Sequence, residues 1–539
     1  MKFKILAADK LAPEGLKFIE SQADVTLVNR PGLSEDELTA IIGEHDGLIV
    51  RSAAKVTAHV LANPGQLKAI ARAGIGVDNI DLETATAKGI LVMNSAEAST
   101  ISTAEHTFAL MLALARDISA AHRTMTAGGW DRSRFTGSQL YEKTLGVVGF
   151  GRIGQAVAER ALAFGMKVVA HDPFINAETM MDGQVKMHPR FEDLLPDADV
   201  LTFHVPLNDQ THGMLNSKTL ALCREGVRVV NAARGGVVAE DDIIAALDSG
   251  RCGGAAFDVY EQEPPAPDHP LRSHPRAVLS PHLAASTKEA QEAVSISAAK
   301  SLLTYLRGEG ITGAVNAGDV RVDLDPLQQC FADLAKRMAM LISPMITEGI
   351  ARVTVELVGA ELAHAAGTIN RTALVNLLAS HLDQTPNIIN VQHLAEQRGI
   401  DLRAITVDAD QRHGRQLSLV IEGPAYAEKQ PQVRRIVGRV YDDLRPRVVD
   451  INGYHMDMIP AGVMVLIQND DRPGMIGVVG NEFGNAQVNI ADMALSRREQ
   501  TALMLIKVDE EPSAETLASL RGRDGILKVA MVALPAHSP

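Results

Sequence analysis

The chain has 539 residues, too many for one hydrophobic core, and about three to five domains of roughly 100–200 residues are expected. Apolar residues make up 46% and charged residues 22%, an ordinary soluble composition, and no apolar run approaches the roughly 20 residues needed to cross a bilayer. A net charge of -14 argues against a general nucleic-acid binder, and the three scattered cysteines, Cys223, Cys252 and Cys330, offer neither a disulfide framework nor a zinc site. A small-molecule partner, a reducing cytoplasm and no metal are therefore expected.

The opening "MKFKILAADK" meets Asp9 after a short apolar stretch and reads as a strand rather than an export signal. From residue 3 to 93, the runs "KFKILAA", "DVTLVN", "DGLIVR", "LKAIAR" and "GILVMN" alternate with helical segments, the pattern of a parallel sheet wrapped by helices. Residues 99–127 place Ile101, Ala104, Phe108, Met111, Leu112, Ala115 and Ile118 at spacings of three and four, which predicts one long amphipathic helix ending near Gly128-Gly129. A second alternating unit runs from "TLGVVGFGRIG" through "MKVVAHD", "ADVLTFHVPL", "VRVVNAARGG", "CGGAAFDV" and "AVLSPH". Another long helix, "TKEAQEAVSISAAKSLLTYLRGEG", follows it. The two long helices read as crossings, one leaving the first domain and the other returning to it.

Beyond about residue 318, strands such as "ARVTVELVG" and "QLSLVIEG" mix with one strong helix near 326–349, and pattern alone assigns no role. The final segments, "VMVLIQND" to "LKVAMVAL", read as strand, helix, strand, strand, helix, strand. That order is the ferredoxin-like plait.

Gly149, Gly151 and Gly154 form G-x-G-x-x-G between an apolar strand and a helix, the context that a dinucleotide site requires. The first glycine permits a tight turn, the second lets backbone amides approach a pyrophosphate, and the third allows close helix-to-strand packing. Asp172 closes the next strand, 21 residues after Gly151, where a carboxylate can bond ribose hydroxyls and repel a 2'-phosphate. "PFINAE" supplies no compensating arginine, so NAD is expected over NADP.

Arg234 in "NAARGG", Glu263 in "DVYEQEPP" and His282 in "SPHLAAS" lie just beyond later strands of this unit, where ligands of open α/β sheets bind. Singly, each has a bland alternative: a solvated charge, a turn acceptor, a buried histidine. Arg51 and Arg72 stand at predicted strand ends of the first domain and, with Arg132, could form a cluster for a second anionic group such as a phosphate.

The segments "RAGIGVDNID", "TAEHTFALMLALAR", "HVPL", "NAARGG", "GAAFDV", "EPP" and "PHLAAST", in this order over residues 1 to about 310, resemble the D-isomer-specific 2-hydroxyacid dehydrogenases. The resemblance implies a Rossmann-type NAD domain, residues 99–286, inserted in a flavodoxin-like substrate domain, residues 1–98 and 287–315. His282 is then the acid/base, Glu263 its partner, raising its pKa and fixing its tautomer, and Arg234 the fork for the substrate carboxylate. "VRSAAKV" and "RAGIGVDN" look like segments of the branch that oxidises 3-phosphoglycerate to 3-phosphohydroxypyruvate, the D-3-phosphoglycerate dehydrogenases. That likeness implies substrate contacts from Arg51, Arg72, Gly74 and Arg132. It also implies an NAD site lined by Ile75, Arg152, Ile153, Val205, Ala232, Ala233, Asp258 and Ala285. A dehydrogenase for another D-2-hydroxy acid and a non-catalytic corepressor-like NAD binder remain alternatives.

Residues 318–455 resemble the intervening domain of the long form of that branch, and residues 462–536, with "NDDRPGMIGVVG", resemble an ACT regulatory domain. By resemblance, Asp471 and Asn489 would bind L-serine, although Asn469 stands where some serine-inhibited relatives carry an aromatic residue. A homotetramer built through paired plaits is implied in the same way.

Overall fold

A computed structural model describes residues 2–536 except 176, 322, 348, 383, 408–413 and 425–431. The described residues form four sheets. The first holds β1 (Phe3–Ala7), β2 (Val25–Asn29), β3 (Gly47–Val50), β4 (Ala69–Arg72) and β5 (Leu91–Asn94), all parallel, in the order β2-β1-β3-β4-β5. All of β3 is buried, as expected of a parallel strand covered on both faces by helices. The helix Lys288–Leu306 returns to this sheet and places Val294, Ala298, Leu302 and Leu303 in one core with Ile5, Ile49 and Leu91.

The second sheet holds β6 (Thr144–Val148), β7 (Lys167–His171), β8 (Thr179–Met180), β9 (Val185–Met187), β10 (Val200–Phe203), β11 (Val227–Asn231), β12 (Cys252–Phe257) and β13 (Ala277–Leu279). Its order is β13-β12-β11-β10-β6-β7-β9-β8, parallel except for β8. The chain order reverses on either side of β6, the switch point where doubly wound sheets open a crevice for a ligand. The α/β reading with a Rossmann-like sheet holds.

The single helix expected over 99–127 is two helices, Thr100–Ala115 and Ile118–Thr126, broken where Asp117 turns left-handed with φ 50°. A short polar side chain tolerates that conformation. Ile101 and Ile118, expected on the apolar face, are exposed. The first of these helices buries Phe108, Met111 and Leu114 in the core of the second sheet.

The third sheet holds β14 (Arg352–Val358), β15 (Asp401–Val407), β16 (Gln416–Glu422), β17 (Val433–Val440), β18 (Pro446–Ile451) and β19 (Tyr454–Met458), mixed, in the order β15-β14-β16-β17-β18-β19. The helix expected near 326–349 stops at Ile342 and gives way to a 3-10 turn, Ser343–Met345, which contains Pro344. Two further helices, Ala366–Leu378 and Val391–Gln397, were not legible in the pattern. Between them Ile389 enters the core of the first sheet, and Asn387 Nδ2 donates to the Gly89 carbonyl at 2.9 Å.

The fourth sheet, β20 (Gly462–Asp470), β21 (Ile490–Arg498), β22 (Thr501–Val508) and β23 (Ile526–Leu534), is antiparallel in the order β21-β22-β20-β23, as the plait requires. Its strand alternation is used on both faces. Val465, Ile467, Met504 and Ile506 pack under the plait's own helices, whereas Met464, Leu466, Leu503 and Leu505 join the core around Phe331 and Leu334 of the preceding domain.

Candidate active site

At the dinucleotide turn, Gly149 has φ +89°, and a Cβ there would stand 2.5 Å from the His204 carbonyl oxygen. A Cβ at Gly154 would collide with the Gly149 carbonyl oxygen. A Cβ at Gly151 would meet nothing within 4 Å, so this position borders open space at the start of the helix Arg152–Ala163. Two glycines are thus fixed by packing and one leaves room for a ligand at a helix N-terminus, a fit to the pyrophosphate of NAD. Asp172, just past β7, accepts from the Phe150 and Phe174 amides, both at 2.9 Å. Arg152 pairs with Glu97, Ile153 packs on the core below, Val205 is part-buried, and Ala232 and Ala233 lie buried beyond β11.

His282, at φ 54° beyond β13, and Glu263, beyond β12, meet with Nδ1 2.7 Å from Oε2. The other oxygen of Glu263 accepts from the Tyr260 amide at 3.1 Å. Glu263 raises the imidazole above the ordinary histidine range, against partial burial. Burial opposes ionisation of Glu263, but the hydrogen bond and charge of His282 prevail and hold its carboxyl below the usual range.

Asp258 is fully buried, and burial opposes its charge. Hydrogen bonds from His106, Ser280 and the amides of Leu283 and Ala284 nevertheless keep its pKa low. Ser102, on the same helix as His106, donates to the Ala284 carbonyl at 2.7 Å, so this helix anchors the loop that carries His282 and Ala285.

Arg72, at the end of β4, is pushed down to about 10, first by burial and then by the charge of Arg234. Its Nε donates to Asn79 Oδ1 at 3.2 Å, and Asn79 Nδ2 donates in turn to the carbonyls of Arg51 and Ala54. Asp9 accepts from the amides of Arg51 and Ala54. Arg234 reaches from β11 to the opposite domain, with Nε 3.2 Å from Asp78 Oδ2. The guanidinium of Arg72 lies close over Gly74, and the Ile75 carbonyl accepts from Asn94.

The structure thus draws Arg51, Arg72, Gly74 and Arg234 to one cleft, with the Glu263–His282 pair on the NAD-domain side. Arg132 stands apart, on an exposed loop beyond the helix Ile118–Thr126. Asp471 and Asn489 are not brought together. Asp471 bonds Arg497 near the end of β21, whereas Asn489 precedes its first residue and bonds Asp509. Sequence reasoning missed Asp78, Asn79 and His106, although all three lie in the motifs "GVDN" and "TAEH".

The family model for the D-isomer specific 2-hydroxyacid dehydrogenase NAD binding domain matches residues 108–284, and that for the D-3-phosphoglycerate dehydrogenase intervening domain matches residues 328–452. A D-3-phosphoglycerate dehydrogenase of Bacillus subtilis is 35% identical over 536 residues, 99% of this chain and 100% of the relative. One of Methanocaldococcus jannaschii is 36% identical over 533 residues, 98% of this chain and 100% of the relative. Among solved structures, a glyoxylate reductase from Paecilomyes thermophila aligns with a TM-score of 0.54 at 28% identity, covering 58% of this chain and 98% of its own. A D-lactate dehydrogenase from Aquifex aeolicus, complexed with NAD and lactic acid, aligns at 0.50 and 29% identity, covering 57% and 96%. Likeness at this level over nearly the whole chain, with an NAD-binding domain at its centre, makes the protein an NAD-dependent oxidoreductase that belongs to the D-3-phosphoglycerate dehydrogenase family of D-isomer-specific 2-hydroxyacid dehydrogenases.

Proposed function

We propose that this chain oxidises 3-phospho-D-glycerate to 3-phosphohydroxypyruvate with NAD, the first step of the phosphorylated route to L-serine. The observation that carries the reading is the convergence of Arg51, Arg72 and Arg234 in one cleft that also holds the Glu263–His282 pair. A substrate with one carboxylate needs one such fork; a dianionic phosphate beside it uses the others.

When bound, NAD would supply the hydride acceptor; the Gly149–Gly154 turn and Asp172 would hold it, and Asp258, buried with its oxygens already bonded, would support it through the loop that carries His282. Arg234 holds the substrate carboxylate and polarises the carbon that becomes the carbonyl. His282 is tied through Nδ1 to Glu263, so Nε2 takes the hydroxyl proton, and Glu263 stabilises the imidazolium that forms. Arg51 and Arg72 take the phosphate, and the turn that follows Arg72 adds backbone amide donors for the carboxylate. Arg132, exposed and apart from this cleft, would join the substrate contacts only if its loop moved toward it.

Asp471 and Asn489 are proposed to bind L-serine as a feedback effector. Because they lie at opposite ends of one plait, a site made of both takes two plaits, which fits a homotetramer in the cytoplasm. The test is NADH formation from 3-phosphoglycerate at alkaline pH with the ketone trapped. Turnover is expected, with His282→Asn abolishing it while NAD still binds. Silence with intact NAD binding would overturn the reading and favour the corepressor-like alternative, and turnover of a non-phosphorylated D-2-hydroxy acid alone would favour the other.

A further inference from the structure

We propose that Asp78 is a positioning residue for the reaction, holding Arg234 from the opposite domain so that its guanidinium is set before substrate arrives. The inference rests on the reading of Arg234 as the carboxylate fork.

Arg234 is rooted at the end of β11 and crosses the cleft to the turn that follows β4. It is held at two points. Nη1 donates to the Ala233 carbonyl at 2.6 Å on its own side, and Nε meets Asp78 Oδ2 at 3.2 Å on the other. Gly76 leaves the space between: a Cβ there would run into the Arg234 guanidinium and stand 2.6 Å from Asp78 Oδ2. The pair therefore sits on a bare backbone, and only glycine admits it.

The placement of Asp78 is otherwise costly. A carboxylate in a cleft built for anions repels substrate. Asp9 nearby is buried and spends its oxygens on the amides of Arg51 and Ala54, a structural use. Asp78 is mostly exposed, and its partner is a cation of the other domain. Its charge also acts on Arg72 in the opposite sense to that of Arg234, and so offsets the repulsion between two guanidinium groups that the same substrate must bridge. An exposed carboxylate in this position is explained if an oriented Arg234 gains more for the reaction than the added negative charge takes away.

Asp78→Asn separates the two effects, because it keeps the shape and removes the charge. Electrostatic repulsion alone predicts a lower KM for phosphoglycerate. Positioning predicts a fall in kcat/KM for phosphoglycerate of about ten- to a hundredfold, the range expected when a substrate-orienting group is misplaced by about 1 Å. KM for NAD and the melting temperature should stay at their wild-type values. Asp78→Glu should restore part of the loss, and in an Arg234→Lys background Asp78→Asn should cost less than about threefold. A wild-type level of kcat/KM in Asp78→Asn, a lowered KM, or an undiminished effect in the Arg234→Lys background would overturn the proposal. If wild type ignores phosphoglycerate but oxidises another D-2-hydroxy acid, the substrate reading falls, and the same comparison on that acid still decides the role of Asp78.

Discussion

Asp172 Oδ2 accepts the Phe150 amide at 2.9 Å, which ties the end of β7 to the middle of the dinucleotide turn after β6. With Oδ1 on the Phe174 amide, the carboxylate is fixed before any ribose reaches it. Asp172→Ser should therefore loosen the turn as well as remove the ribose acceptor. The expected outcome is a KM for NAD raised about ten- to a hundredfold, from hydrogen bonds to a charged group worth about 1.5–3 kcal/mol. The preference over NADP should narrow, since the charge that repels a 2'-phosphate is gone. Steady-state KM values for both cofactors check this.

The Glu263–His282 pair fixes the pH dependence. Oxidation needs neutral imidazole, and Glu263 favours the protonated form, so kcat/KM should rise with pH along a limb lying above the ordinary histidine value of about 6.5. Glu263→Gln should move that limb to lower pH and reduce kcat, because the imidazolium formed in the reaction loses its partner. The stability sign follows from the same shift. A raised folded pKa stabilises fully below the unfolded value and is lost as pH rises through the folded one. Wild type should thus lose a small stability advantage over Glu263→Gln on going to alkaline pH, measurable as converging melting temperatures.

The two parallel sheets were legible because their strands are buried on both faces and read as apolar runs punctuated by glycine turns. The break at Asp117 was not, since apolar residues at helical spacing continue on both sides and a single φ ends the helix. Asp78 was hidden for a different reason: its partner Arg234 belongs to another sheet, and only the tertiary fold makes them neighbours. Asp471 and Asn489 are the reverse case. They are close in sequence, but β20 and β21 both run antiparallel to β22 and so point the same way, which puts the end of one strand far from the start of the other.

Arg337 joins the two C-terminal domains. Almost fully buried, it bonds Asp333 on its own helix and donates to the carbonyls of Pro460, Pro535 and Ala536. Arg337→Ala leaves these acceptors without their donor, at about 1–3 kcal/mol for each one that water cannot reach. A lower-melting C-terminal transition in calorimetry is expected, together with faster proteolysis near residue 460. NAD binding, which depends on a different sheet, should be unchanged.

The proposed serine site makes a prediction about mixing. Asn489 lies eight residues from Arg497 along β21, roughly 26 Å at 3.3 Å per residue, and Arg497 is the residue that Asp471 bonds. One serine molecule cannot touch both within a chain, so a shared site takes Asp471 from one protomer and Asn489 from its partner. Asp471→Ala and Asn489→Ala should each abolish serine-induced thermal stabilisation, which in wild type should reach about 2.7 kcal/mol at a hundred times Kd. In a dimer of one variant with the other, one of the two symmetric sites carries both substitutions and the second carries neither. Co-refolded variants should therefore recover part of the serine response that neither shows alone. Failure to recover it, with mixed dimers demonstrated by mass, would mean that the two residues do not share a site.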